Sequence, residues 1–167
     1  MRVHDLKQLS SVFSEECLVN AFIEKQLSAN NIRTEFPSAI AEAKAAYAQT
    51  CIETPNRKDL RETRCLTIDC RETKDMDDAV GIIRTLTGYR LFVHIADVAE
   101  YVQHESPLEA EAIIRGSSIY LPGRTIPMLP QYLTNDLCSL APNVDRLAIT
   151  VDALLDAEGK INCVSQD

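Results

Sequence analysis

The stretch Thr67-Ile68-Asp69-Cys70-Arg71-Glu72-Thr73-Lys74-Asp75-Met76-Asp77-Asp78-Ala79-Val80 organises the reading of the whole chain. It holds four aspartates, Asp69, Asp75, Asp77 and Asp78, between apolar runs. Carboxylates this close repel one another, and each resists ionising unless a cation or a hydrogen-bond network offsets the repulsion. A hard divalent cation with oxygen ligands is the simplest remedy, and Mg2+ commonly takes one or two carboxylates plus substrate phosphates. That pairing points to phosphodiester chemistry, in which metal ions activate water and steady the leaving oxygen. The competing reading is an acidic, solvated surface loop. An EF-hand calcium loop is disfavoured, because its central glycine and closing glutamate are missing.

The run also marks a change of structural class. Upstream, residues 1 to about 60 read as helical. Ser14 is a candidate cap with Glu15 and Glu16 in the first turn, and Leu18, Phe22, Ile23 and Leu27 recur at helical spacing. Asn30-Asn31 predicts a stop. A second helix is expected after Pro37, with Ala39, Ile40, Ala43, Ala46 and Tyr47 as its stripe. Residues 53–62 are polar, contain Pro55 and read as a linker.

From there the pattern is that of strands. Cys65–Ile68 reads as a short strand delivering Asp69, Ala79–Leu86 as a second, and Tyr89–Ile95 as a third beyond a Thr87-Gly88 turn. In the third, Leu91, Val93 and Ile95 face one way and Arg90, Phe92 and His94 the other. His94 reads as a hydrogen-bonded sheet residue rather than a ligand. Asp97 could feed the acidic site or cap a turn.

Ser106-Pro107-Leu108-Glu109 combines an N-cap, a first-turn proline and a capping-box glutamate, so a helix is expected to Arg115 with Gly116 as its stop. Three prolines and a glycine within residues 118–130 forbid a long regular element and predict an ordered loop. In that loop Tyr120 could stack on a base and Arg124 could grip a phosphate; the structural alternative is a core tyrosine and a surface arginine. Thr134-Asn135-Asp136 is a candidate cap for a short helical turn. Leu147, Ile149 and Val151 alternate as a strand, and Asp156-Ala157-Glu158-Gly159 predicts a hairpin turn into a return strand from Lys160.

Composition sets the outer bounds. The chain has 167 residues, enough for a domain with a real core, with 46% hydrophobic and 25% charged residues. The net charge of −8 argues against a simple electrostatic nucleic-acid binder, so polynucleotide contact would need local cations or bound metal. The six cysteines (Cys17, Cys51, Cys65, Cys70, Cys138, Cys163) form no C-x-x-C pair, and with His4, His94 and His104 they complete no zinc spacing. Scattered cysteines suit a reducing cytosol, where Cys serves as a small buried apolar residue. No signal peptide or membrane span is read from the sequence, so the expected location is cytoplasmic.

With these residues in place, the sequence resembles the ribonuclease II / ribonuclease R family in its RNB catalytic domain. The matching blocks stand in order: Thr67-Ile-Asp and Lys74-Asp-Met-Asp-Asp-Ala79; Val93-His-Ile-Ala-Asp-Val98; Ser106-Pro-Leu with Glu111-Ala and Arg115-Gly116; Tyr120-Leu-Pro-Gly-Arg124; Ile126-Pro-Met-Leu-Pro130; Leu137-Cys-Ser-Leu140; and Val144-Asp-Arg-Leu147. They cover about residues 60 to 165. The resemblance implies a Mg2+-dependent, hydrolytic 3'-to-5' exoribonuclease acting on single-stranded RNA and releasing nucleoside 5'-monophosphates. It implies metal ligation by Asp69 and Asp78, a cleavage-critical carboxylate at Asp77 with Asp75 in the same cluster, and an RNA 3' end held by Tyr120. Family RNB domains continue past the last residue here, and that continuation supplies a catalytic arginine and another acidic residue. The expectation is therefore half of an active site, with the C-terminal half of the domain as a possible partner. A non-catalytic RNA- or partner-binding module is the alternative, and it would expose an extensive apolar surface.

The fold expected is α+β. A curved, mostly antiparallel sheet carries helices on its outside in residues 61–167, and residues 1–60 form a helical segment and linker.

Overall fold

The computed structural model describes residues 15–41 and 57–166. The chain separates into two compact units, Met1–Phe36 and Pro37–Asp167.

The first unit contains helix α1, Glu15–Ala29. Its termination follows the sequence. Asn31 adopts φ 53°, a left-handed conformation that asparagine tolerates better than most residues. Ile32 N–H then donates to the Leu27 carbonyl (2.9 Å) and Asn31 N–H to that of Ser28 (3.1 Å). This crossed pair is a Schellman ending. Leu27 is buried, whereas Phe22 of the expected apolar stripe is exposed. The capping role read for Ser14 lies outside the described residues.

The second unit begins with α2, Ser38–Ala41, which contributes the buried Ile40. The remainder of the stripe, Ala43, Ala46 and Tyr47, lies outside the described residues. A four-stranded antiparallel sheet follows, in the spatial order Asp78–Arg84, Gly88–Ala96, Ala148–Asp156, Ile161–Gln166. Strand β1 is Asp78–Arg84 and β2 is Gly88–Ala96; β5 is Ala148–Asp156 and β6 is Ile161–Gln166. The β1–β2 register places Asp78 opposite Ile95 and Ala79 opposite His94; β2–β5 places His94 opposite Thr150. The β5–β6 turn is as expected. Gly159 has φ 82°, and the Asp156 carboxylate accepts from the N–H groups of Glu158 and Lys160.

Cys65–Ile68 does not form the short strand expected of it. A single bridge joins Leu66 to Val80, with two backbone hydrogen bonds of 2.9 Å. Gly81 permits that approach, since a Cβ there would lie 2.7 Å from the Arg64 carbonyl oxygen. The polar residues 57–62 are tied down by ion pairs. Arg57 engages Asp97 and Glu100, and Arg61 engages Asp59 and Asp145.

Between β2 and β5 the chain forms the compact substructure that carries the remaining motifs. Helix α3, Pro107–Arg115, starts as a capping box. The Ser106 hydroxyl accepts from Glu109 N–H at 3.1 Å, and the Glu109 carboxylate reaches back to Glu105 N–H. Gly116, at φ 72°, stops it. The proline-rich segment beyond is a short hairpin rather than only a loop, with β3 (Ile119–Leu121) paired to β4 (Arg124–Ile126) around Gly123. The expected helical turn near Asn135 is a π-type turn, Leu133–Leu137, in which Cys138 N–H reaches the Leu133 carbonyl; no side chain caps its start. The buried apolar residues of this segment between β2 and β5 are Tyr101, Leu108, Ile126, Leu129, Leu133, Cys138 and Leu147.

The architecture is thus mixed helix and antiparallel sheet, with no closed barrel among the described residues. No described helix is long and apolar enough to cross a membrane. The five described cysteines carry free thiols, but only Cys138 plays the buried apolar role expected of cysteine here; Cys17, Cys65, Cys70 and Cys163 are exposed.

Candidate active site

The acidic loop is held at its centre by a distant segment. The Ser139 hydroxyl donates to the Lys74 carbonyl (2.7 Å) and accepts from Met76 N–H (3.2 Å). Leu140 N–H donates to the Met76 carbonyl, and Ala96 N–H, at the end of β2, donates to that of Asp77. The Leu137-Cys-Ser-Leu140 block is therefore the bracket on which the aspartates are mounted. Arg146 secures the bracket in turn, donating to the Ser139 carbonyl and to Asp136.

The carboxylates share one electrostatic environment. Asp77 has its pKa raised, first by partial desolvation and then by the charges of Asp75, Asp78 and Asp69. Asp69, Asp77 and Asp78 are exposed and Asp75 is half-buried. Beneath them, burial pushes the Cys138 thiol up to about 11, and Asp77 and Asp97 add to that rise. Among the described residues, no three Asp, Glu, His or Cys side chains converge closely enough to hold a metal ion by themselves. The two observations are compatible. Coulomb interaction extends beyond ligand-bond distances, so the loop gathers charge without closing a coordination shell.

Tyr120 is neither core nor remote. It is 67% exposed, and its hydroxyl donates to the Asp75 carboxylate at 3.0 Å. The bond to Asp75 raises the phenol's pKa. The hairpin presenting it is anchored at its base. Ser118 Oγ accepts from Met128 N–H, and Arg115, paired with buried Glu111, donates to the Pro127 carbonyl. Arg124 is exposed across the hairpin.

Asp97 does not cap a turn through its side chain, the second of the two alternatives read from sequence. It precedes a 3-10 turn, Val98–Glu100, and its carboxylate pairs with Arg57. His94 is a sheet residue as expected, 7% exposed, with Nδ1 2.9 Å from Thr150 Oγ1. Sequence reasoning missed Ser139. Its only signal was a small hydroxyl residue inside an otherwise apolar block.

The outline of the site is an antiparallel-sheet domain that carries an acidic loop against an exposed tyrosine. Comparison with known proteins gives that outline a family. The family model of the RNB domain matches residues 57–166, and the chain belongs to that family. It is 40% identical over 159 residues to the Ribonuclease R of Mycoplasmopsis pulmonis, covering 94% of this chain and 21% of that protein. With the Ribonuclease R of Chlamydia muridarum the identity is 47% over 132 residues, covering 77% and 19%. Among solved structures, Mycoplasma genitalium RNase R in complex with ribose methylated single-stranded RNA superposes with a TM-score of 0.79 at 34% identity, over 84% of this chain and 22% of that one. The yeast pseudonuclease Ssd1 matches at TM-score 0.51 and 25% identity, over 55% of this chain and 11% of that one. The chain spans about a fifth of the length of the Ribonuclease R relatives named here.

Proposed function

We propose that this chain is part of a Mg2+-dependent, hydrolytic 3'-to-5' exoribonuclease that acts on single-stranded RNA and releases nucleoside 5'-monophosphates. The observation that carries the reading is the shared field at Asp77, with the Tyr120 hydroxyl on the neighbouring Asp75. An oxygen-only donor set under mutual repulsion fits a hard cation. No three described side chains preassemble, and magnesium commonly takes one or two carboxylates, so the protein would contribute Asp69 and Asp78 foremost and the RNA phosphate would contribute others. A bound magnesium ion supplies activation of water and stabilisation of the leaving oxygen.

The chain's own residues do the rest. Asp77, partly desolvated and crowded by Asp75, Asp78 and Asp69, is a carboxylate whose repulsion a bound cation would relieve. Asp75 orients the Tyr120 hydroxyl, leaving the exposed ring free to stack on a terminal base. Arg124, on the paired strand, provides a cation for the RNA backbone. Hydrolysis then adds water across one phosphodiester: a P–O bond forms from water, the bond to the 3' oxygen breaks, and that oxygen takes the proton.

The charge that develops in this step needs a cationic partner as well as carboxylates. By the family resemblance that arginine belongs to chain outside this sequence, so the isolated chain is weakly active or inactive. The test is Mg2+-dependent mononucleotide release from single-stranded RNA, by this chain alone and after complementation with the rest of an RNB domain, each compared with Asp77→Asn. Equal degradation by parent and variant would remove the assignment. A second reading, a non-catalytic RNA-binding module, is favoured by the likeness to a pseudonuclease. It predicts Mg2+-independent RNA binding with a steep salt dependence and no mononucleotide release under any complementation.

A further inference from the structure

The sheet has two unlike faces. Alternation along the strands places Arg90, Phe92 and His94 of β2 with Thr150 and Asp152 of β5 on one side. That side is closed over its centre, where Phe92, His94, Thr150 and Asp152 are all buried, and opens at the Arg90 end, where Ile83 and Leu154 are exposed. The opposite side carries Val80 and Ile82 of β1, Leu91, Val93 and Ile95 of β2, and Ile149 and Val151 of β5. None of these seven is buried, and Ile82, Ile95 and Ile149 are 63%, 44% and 37% exposed; the small Ala153, opposite Leu91, is the buried exception on this side. On the edge strand β6, Val164 is 53% exposed. A contiguous apolar face of this kind across three strands marks an interaction surface.

Three observations say what covers it. First, the face carries one cationic side chain, the exposed Arg84 at the far end of β1 opposite Tyr89, and one acidic one, Asp78, with apolar residues between them; a single cation neutralises few phosphates, so RNA is a poor occupant. A packed polypeptide suits an apolar sheet face, because sheets bury such a face against a second layer. Second, the Ribonuclease R relatives carry most of their length outside the matched stretch, which is 21% of one and 22% of another. Third, Asp78 lies on the same face as Val80 and Ile82, opposite Ile95. An occupant of the face therefore arrives beside the acidic loop.

The geometry points to the open face of β1, β2 and β5 as the seat of the remaining part of an RNB domain, whether joined to this chain or supplied as a separate polypeptide. The occupant is an apolar helical or sheet layer that carries the complementary catalytic groups to the Asp78 side. This inference rests on the exoribonuclease reading and names the surface through which the site is completed.

The experiment co-expresses the full chain with the segment of Mycoplasmopsis pulmonis Ribonuclease R that follows the matched region, and weighs the product by size-exclusion chromatography with light scattering. A one-to-one complex is expected. Ile82→Lys and Ile149→Lys should each weaken it at least tenfold, while Ile113→Lys, at a 72% exposed position on α3, should not. Ile82→Cys, a mild change, gives a second readout: maleimide labelling of the thiol it introduces, followed on the peptide that contains it, should be blocked in the complex. No complex, a complex indifferent to both lysine variants in which the introduced thiol still labels freely, or a homodimer of this chain dissolved by Ile82→Lys would each overturn the assignment. A face-dependent complex that releases no mononucleotide keeps the docking face and removes the exoribonuclease reading. Mononucleotide release by a complex indifferent to Ile82→Lys does the reverse.

Discussion

Ser139 Oγ lies 2.7 Å from the Lys74 carbonyl oxygen, across 65 residues of sequence, and the same hydroxyl receives Met76 N–H. Ser139 is fully buried, so neither backbone group it satisfies has water as a ready substitute. Ser139→Ala should leave both groups without that partner and cost about 1–3 kcal/mol of stability. The measurement is thermal or denaturant unfolding, together with amide exchange at Met76, which should accelerate in the variant. Unchanged exchange at Met76 would show that the loop is held by Leu140 and Ala96 alone.

The Tyr120–Asp75 contact separates two roles that one residue could play. If the ring holds a terminal base, Tyr120→Ala should weaken binding of a short single-stranded oligonucleotide by about 1–3 kcal/mol, the usual range for one stacked base. Tyr120→Phe keeps the ring and removes only the hydroxyl bond to Asp75. It should therefore retain most of the affinity, read by fluorescence anisotropy in the complemented protein. Equal loss in both variants would place the function in the hydroxyl rather than in stacking.

What sequence could reveal followed from how local the cause was. The Ser106–Glu109 capping box, the Asn31 stop and the Asp156–Gly159 turn each depend on atoms a few residues apart, and each is present. Asp75, Asp77 and Asp78 were readable as a unit because proximity in sequence guarantees proximity in space. The bracket at Ser139 was not readable, since its partners lie more than 60 residues away. Nor was the closed side of the sheet. On hydropathy alone, Leu91, Val93 and Ile95 would turn inward. The structure instead buries Phe92 and His94, with Arg90 paired to buried Asp152 and its guanidinium 5.0 Å from the Phe92 ring centre. Pattern gives the two faces of a strand, and only the covering layer decides which becomes the interior.

Gly81 tests how the segment leading into the acidic loop is set. A methyl group there would sit 2.7 Å from the Arg64 carbonyl oxygen, and backbone cannot swing aside as a flexible side chain can. Gly81→Ala should displace residues 64–66, break the Leu66–Val80 bridge and destabilise by about 1–3 kcal/mol, as overpacking commonly does. The check is unfolding free energy, with exchange at Leu66 and Val80 as the local reporter. Wild-type stability with slowed exchange would contradict the close approach. Cys65→Ser, whose side chain is exposed, is the neighbouring control expected to change little.

His94 gives the unit a pH dependence whose direction is fixed by burial. Nδ1 faces Thr150, and Nε2 is buried with no hydrogen-bond partner among the described residues. Desolvation lowers the pKa in the folded state, so the folded protein holds the ring neutral while the unfolded chain, near the ordinary value of about 6.5, takes up a proton. The unfolded state thus binds more protons in the window between the depressed folded value and about pH 6.5. Stability from this group is complete above that window and is lost as pH falls through it, with a limiting slope of about 1.4 kcal/mol per pH unit for one proton. His94→Gln keeps a polar group opposite Thr150 and removes the titration. Urea unfolding between pH 7.5 and 5 (about the span in which free imidazole titrates) should show a steeper loss for the parent than for the variant. Parallel curves would mean that the ring is protonated equally in both states and that its buried nitrogen has a partner after all.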